Sequence, residues 1–158
     1  MIGLLSLALA AAALSPAESR FEQVKTLAGE WEGKREGGRT IRISLRPISR
    51  GSALVETWTL APGRETMTVY HMDGAQLIAT HYCAMGNQPR LVMADGTGPR
   101  LSFSFRDATN LPSPTAAHQH SFWIEPQGPN QLTKSETYID EGVEETETIV
   151  FNRVKAAD

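Results

Sequence analysis

From about residue 30 to the end of the chain, apolar side chains recur at every second position in short runs. Ile41-Arg42-Ile43-Ser44-Leu45-Arg46 alternates cleanly, and so does Leu101-Ser102-Phe103-Ser104-Phe105-Arg106. A period of two is the signature of strands with one face in a core and one in water. Turn residues interrupt these runs at short intervals: Gly37-Gly38, Gly51, Pro62-Gly63, Asp73-Gly74, Gly96-Thr97-Gly98-Pro99, Gly128-Pro129-Asn130 and Glu141-Gly142. That punctuation predicts about ten strands, over 30–36, 39–47, 53–61, 64–72, 75–84, 89–95, 100–107, 118–126, 130–139 and 143–154. Consecutive strands joined by tight turns form an antiparallel meander. A meander this long with one apolar face is best closed into an up-and-down barrel, which leaves no strand edge exposed. The predicted class is therefore all-β.

Before the strands the period is different. Phe21, Val24 and Leu27 recur at helical spacing, Ser19 and Glu22 have the spacing of a capping box, and Gly29 suits a C-terminal cap. This predicts a short helix over 19–28 whose apolar stripe closes one end of the barrel. Earlier still, residues 2–14 are apolar but too few to span a bilayer, and Ser15-Pro16-Ala17 places small residues at the −3 and −1 positions of a cleavage site. Residues 1–17 read as a secretory signal peptide, or else as a frayed apolar helix. The barrel domain is then 18–158, and the expected location is periplasmic or secreted.

Composition narrows the field of partners. Net charge is −3 with no run of Lys or Arg, so nothing draws the chain to nucleic acid. No second apolar run exists to span a membrane. One cysteine, Cys83, excludes an internal disulfide. The expected partner is a small molecule, on a monomer or homodimer. The long Pro-rich connection over 107–117 reads as a lid over the barrel mouth or as a surface loop.

Candidate chemistry depends on strand register. If Ala61 pairs with Arg64 across the Pro62-Gly63 turn, Glu56 faces Val69 and Trp58 faces Met67. Leu54, Glu56, Trp58, Leu60, Met67, Val69 and His71 then share the bulkier face, which is expected to point inward. Glu56 and His71 become buried neighbours, either a satisfied structural pair or a polar grip on a ligand. A two-residue turn at Asp73-Gly74 sets His81 opposite His71. A three-residue loop with a bulge puts both inside with Leu77, Ala79 and Cys83, and this second register is the preferred expectation. His118 and His120 share a face with Phe122 and Ile124. Asn87, Gln88 and Arg90 either meet a polar head group at the mouth or serve as turn residues.

Together these readings predict a pocket walled by Ile43, Leu54, Trp58, Val69, Leu77, Phe103, Phe105 and Phe122. Glu56, His71, His81, His120 and Arg90 supply its polar contacts. Interior histidines raise haem or a metal as alternative occupants, although no tight ligand spacing accompanies them. Glu56 with His71 as acid and base gives a further alternative, a small isomerase or hydrolase. No Gly-x-Ser-x-Gly nucleophile and no phosphate-cradling glycine loop is present.

Gly29-Glu30-Trp31 opening the first strand and Arg153 ending the last resemble the calycin pattern of lipocalins and fatty-acid-binding proteins. The resemblance covers about residues 19–155. It implies that Trp31 packs at the closed end and that Arg153 lies across it, a stacking with a clear physical basis. The segments Tyr70–Gly74 and Thr80–Arg90 resemble an uncharacterised, often exported, bacterial lipocalin-like family, which implies no defined activity. Leu27–Gly33 is similar to the opening of nitrobindin-type haem barrels. The disulfide of many lipocalins has no counterpart in a chain with one cysteine.

Overall fold

The computed structural model describes residues 13–155, so residues 1–12 of the expected leader lie outside the described residues. One helix, α1 (Pro16–Lys25), precedes ten strands: β1 (Gly29–Lys34), β2 (Thr40–Ile48), β3 (Ala53–Ala61), β4 (Arg64–Asp73), β5 (Gln76–Tyr82), β6 (Gln88–Met93), β7 (Leu101–Thr109), β8 (His118–Pro126), β9 (Gln131–Asp140) and β10 (Val143–Arg153). Each strand pairs antiparallel with its sequence neighbour, and β10 pairs back onto β1, so the sheet closes into a ten-stranded barrel. The alternation and the turn punctuation therefore predict the architecture correctly.

The helix starts one turn earlier than its apolar spacing suggests. Ser15 is the N-cap, and Pro16 occupies the first helical position, where its missing N–H costs nothing. The Glu18 backbone N–H donates to Ser15 Oγ at 3.2 Å and the Ser15 N–H donates to Glu18 at 2.7 Å, which completes a capping box. Ser15-Pro16-Ala17, the expected cleavage site, is thus the cap and first turn of α1. Phe21 and Val24 are buried on the helix's inner side, as the spacing predicts.

The helix end of the barrel is sealed by Trp31 and Arg153, which are direct partners between β1 and β10. The guanidinium lies 4.1 Å from the centre of the indole. Its donors reach three backbone carbonyls: Ala28 at 2.7 Å, Pro129 at 2.8 Å and Thr26 at 3.5 Å. The Trp31 indole N–H donates to the Leu27 carbonyl at 2.9 Å, tying the strand to the residues after the helix. Gly29 is required here: its φ is +135°, and a Cβ would come within 2.4 Å of Arg153 Nη1. Gly33 lets β1 and β10 approach, since a Cβ there would meet Ile149 at 2.6 Å.

The lower half of the barrel is filled. Phe103 and Phe122 stack with centroids 4.6 Å apart, and the edge of each meets Tyr70. Leu54, Leu77, Leu91, Ile43 and Phe151 complete this core. At the other end the strands splay. Pairing of β7 with β8 stops at Ser104 and Ser121, and Phe105, His118 and His120 pack together where the two strands part.

The β3–β4 register differs from expectation. Ala61 does pair with Arg64, but Leu60 forms a bulge between Thr59 and Ala61. The extra residue shifts every pair below it by one, so Glu56 faces Thr68 and Trp58 faces Thr66. Thr66, Thr68 and Tyr70 therefore point inward, and Met67, Val69 and His71 point out. The next hairpin closes tightly, with Asp73 opposite Gln76 and His71 opposite Ile78. Leu77, Ala79 and His81 face inward without His71. The expected long connection is shorter than read, because β7 continues to Thr109.

Candidate functional site

β9 carries the residues that define the interior chemistry. Leu132, Lys134, Glu136 and Tyr138 alternate on its inner face, and Lys134 is fully buried. Its ammonium donates to Glu56 on β3 and lies 3.1 Å from Glu136. Glu56 also accepts from the Trp58 indole N–H and, at 2.6 Å, from the Tyr70 hydroxyl. A fully buried carboxylate thus has three donors, which is what a charge inside a protein requires.

Burial opposes ionisation of Glu56, but the Lys134 ammonium and the bonds from Lys134, Tyr70 and Trp58 outweigh it and hold its carboxyl below the usual range. Burial likewise opposes the Lys134 charge, and the two carboxylates overcome it and push the ammonium up. Glu136 is different. Burial and the neighbouring Glu56 charge raise its carboxyl above the usual range despite Lys134. The cluster holds two carboxylates and one ammonium, and Glu136 is the member left over.

Above this cluster lies a cavity of about 480 Å³ at the splayed end. Trp58, Glu136 and Tyr138 form its floor. Leu60, Thr66, Cys83, Ala84 and Met85 wall it, and Arg35, Asp140, Glu145 and Glu147 are at the rim. Arg35 pairs with Glu147 at 2.6 Å. Tyr138 hydroxyl lies 3.4 Å from His81 Nε2 and 3.5 Å from the Gln119 amide nitrogen. Burial first, then the Lys134 charge, pushes the His81 imidazole down to about 4, so it is neutral at physiological pH. Its Nδ1 is 3.0 Å from the Thr68 hydroxyl. Burial raises the Cys83 thiol, which keeps it protonated.

Of the expected pocket residues, Trp58 lines this cavity. Glu56 and His81 stand inside the barrel below it. Phe103 and Phe122 belong to the filled core, and Phe105 and His120 to the cluster between β7 and β8. His71 lies on the outer face, its Nδ1 3.2 Å from the Met72 carbonyl, so the structure does not bring it to Glu56. Arg90 also points outward, because Pro89 and Leu91 take the buried positions of β6. It forms a two-point pair with Asp107 at 2.5 and 2.8 Å on the exposed surface. The 110–117 connection is pinned by Asn87, whose amide donates to the Ala117 carbonyl at 2.7 Å.

None of the four histidines lines the cavity, so a haem there would have no histidine ligand. Among the described residues, no group of three or more His, Cys, Asp and Glu is arranged to hold a metal ion. Lys134, Glu136 and Tyr138 escaped the sequence reading. Their signal was present: the bulk criterion that selects the inner face of β3 also selects Leu132-x-Lys134-x-Glu136-x-Tyr138 over Thr133, Ser135 and Thr137.

The fold and the site define a closed ten-stranded antiparallel barrel with one sealed end and one end carrying a polar-floored cavity. No family model matches this chain, and no curated protein matches it. No helix among the described residues is long and apolar enough to cross a membrane.

Proposed function

We propose that this protein is a calycin-like binding barrel that holds a small molecule at its splayed end, an apolar body with a polar terminus. The observation that carries this reading is the cavity of about 480 Å³ over Trp58, Glu136 and Tyr138. Its size is that of sites for small ligands, and its apolar walls converge on a few fixed polar groups, as in such sites. The Trp31–Arg153 seal supports the calycin-like assignment. The apolar leader and the small residues that follow it support export to the periplasm or beyond.

Native mass spectrometry on protein exported to a bacterial periplasm tests the reading. A non-covalent small-molecule mass that disappears on denaturation is expected. Thr66→Trp, which places an indole in the cavity, is expected to abolish it. A bare protein mass under native conditions overturns the reading. Haem or zinc added as separate samples is expected to leave the mass unchanged.

A further inference from the structure

The polar groups of the floor are unbalanced in a particular direction. The donors facing Glu56 are all engaged: the Trp58 indole N–H, the Tyr70 hydroxyl and the Lys134 ammonium, the last shared with Glu136. Acceptors are left over. Glu136 lines the cavity, keeps 12% of its side chain exposed, and shares one ammonium with a second carboxylate. Gln119 is fully buried behind this floor rather than in the cavity lining; its amide donates towards Glu136 and the Tyr138 hydroxyl, and its Oε1 has no partner. Charge is unbalanced in the same sense. Glu56 and Glu136 oppose Lys134 inside. At the rim the Arg35 charge is matched by Glu147, while Asp140 and Glu145 form no ion pair among the described residues. Arg35 Nε is an unpartnered donor, but it lies at the rim and not on the floor.

A molecule entering this cavity therefore meets apolar walls and a floor that needs both N–H donors and positive charge. A metal ion supplies charge but lacks a donor set here. We propose that the cavity is a site for an organic cation, an ammonium, amidinium or guanidinium whose N–H groups meet the Glu136 carboxylate while its apolar body lies against Trp58 and Met85. This inference rests on the binding reading above and gives the ligand its chemical class.

Titration calorimetry with three probes that share a phenyl body and differ in head group tests it: 2-phenylethylamine, 2-phenylethanol and 3-phenylpropionate. The amine is expected to bind at least about tenfold more tightly than the alcohol, the effect of one charge-assisted hydrogen bond, and the carboxylate least of all. Glu136→Gln is expected to erase the preference for the amine and to leave alcohol binding within about threefold. Should that variant fail to fold, the exposed Asp140→Asn/Glu145→Gln pair serves instead, with amine affinity reduced by about threefold and alcohol affinity unchanged. Equal binding of all three probes, or preference for the carboxylate, overturns the cation proposal and leaves the binding reading standing. Absence of binding by every probe to folded protein overturns both.

Discussion

At each end of this barrel a cation lies near an indole, and the two arrangements differ in what surrounds them. Arg153 sits 4.1 Å from the Trp31 ring and directs its donors at neutral backbone carbonyls. No carboxylate is needed, and the seal adds no excess acceptor. Lys134 sits 5.1 Å from the Trp58 ring, fully buried between two carboxylates, one of which lines a cavity. A planar, always-charged guanidinium suits the first role because its fork matches fixed carbonyls. A compact ammonium suits the second because its three donors can serve converging side chains. The contrast separates two uses of buried polarity. The sealed end is satisfied within itself, whereas towards the open end two carboxylates share one buried ammonium.

The comparison is broken most severely by removing either cation–indole unit. Trp31→Ala is expected to destabilise the fold by roughly 3–5 kcal/mol, as a fully buried Trp truncated in a core does, read by urea denaturation. Unchanged denaturation would show that the indole is no keystone. Lys134→Met is expected to cost a comparable ~3–5 kcal/mol, because it strands the Glu56 charge in the interior. The two differ in how they are rescued. Glu56→Gln added to Lys134→Met removes the stranded charge and keeps an acceptor for Trp58 and Tyr70, so the double variant is expected to be more stable than Lys134→Met alone. Nothing comparable rescues Trp31→Ala. A double variant no better than the single would mean that the Glu56–Lys134 pair is not the source of the loss.

The ends also differ in how far the sequence discloses them. The sealed end is legible because its parts stand at conspicuous places: Gly29-x-Trp31 at the first strand and Arg153 at the end of the last. The open end is not, and the reasons are local. On β4, Thr66, Thr68 and Tyr70 alternate with the more apolar set Met67, Val69 and His71, so pattern alone selects the face that in fact points out. The choice falls to a single bulge at Leu60, invisible in a hairpin whose Pro-Gly turn looks regular. That residue exchanged Tyr70 for His71 and hid the donor that completes the Glu56 site. On β9, Lys134 and Glu136 carry charges that a strand normally shows to water. They are inside because Lys134 pairs with both Glu136 and Glu56, a relation between distant strands that no single segment displays.

A smaller effect sharpens the electrostatic half of the comparison. Glu136 titrates higher in the folded barrel than in the unfolded chain, so the folded state binds its proton more tightly. Glu56 on β3, Tyr70 on β4, Cys83 after β5, the Gln119 amide on β8 and Lys134 and Tyr138 on β9 face it. Stability therefore falls as pH rises from the ordinary carboxylate range through the raised value. Glu56 acts in the opposite sense: its contribution is present above the ordinary range and is lost as pH falls through its depressed value. Glu136→Gln is expected to flatten the decline above the ordinary carboxylate range and to leave the acid limb set by Glu56 in place, measured as urea midpoints across a pH series. An unchanged slope above the ordinary carboxylate range would show that Glu136 is already satisfied within the fold.

The smallest effect concerns the helix that backs the sealed end. Ser15→Ala removes the side-chain half of the capping box and is expected to cost about 1 kcal/mol in thermal or urea denaturation. The same cap bears on export. Cleavage after Ala17 would remove Ser15 and Pro16 together and leave the first turn of α1 without its cap. A chain beginning at Leu14 is therefore expected to be more stable than one beginning at Glu18, by about the same 1 kcal/mol. If the two melt together, the cap contributes nothing to the sealed end and cleavage near Ala17 carries no structural penalty. If they differ as expected, the helix favours a processing site before Ser15, and the residues read as a cleavage signal serve the barrel itself.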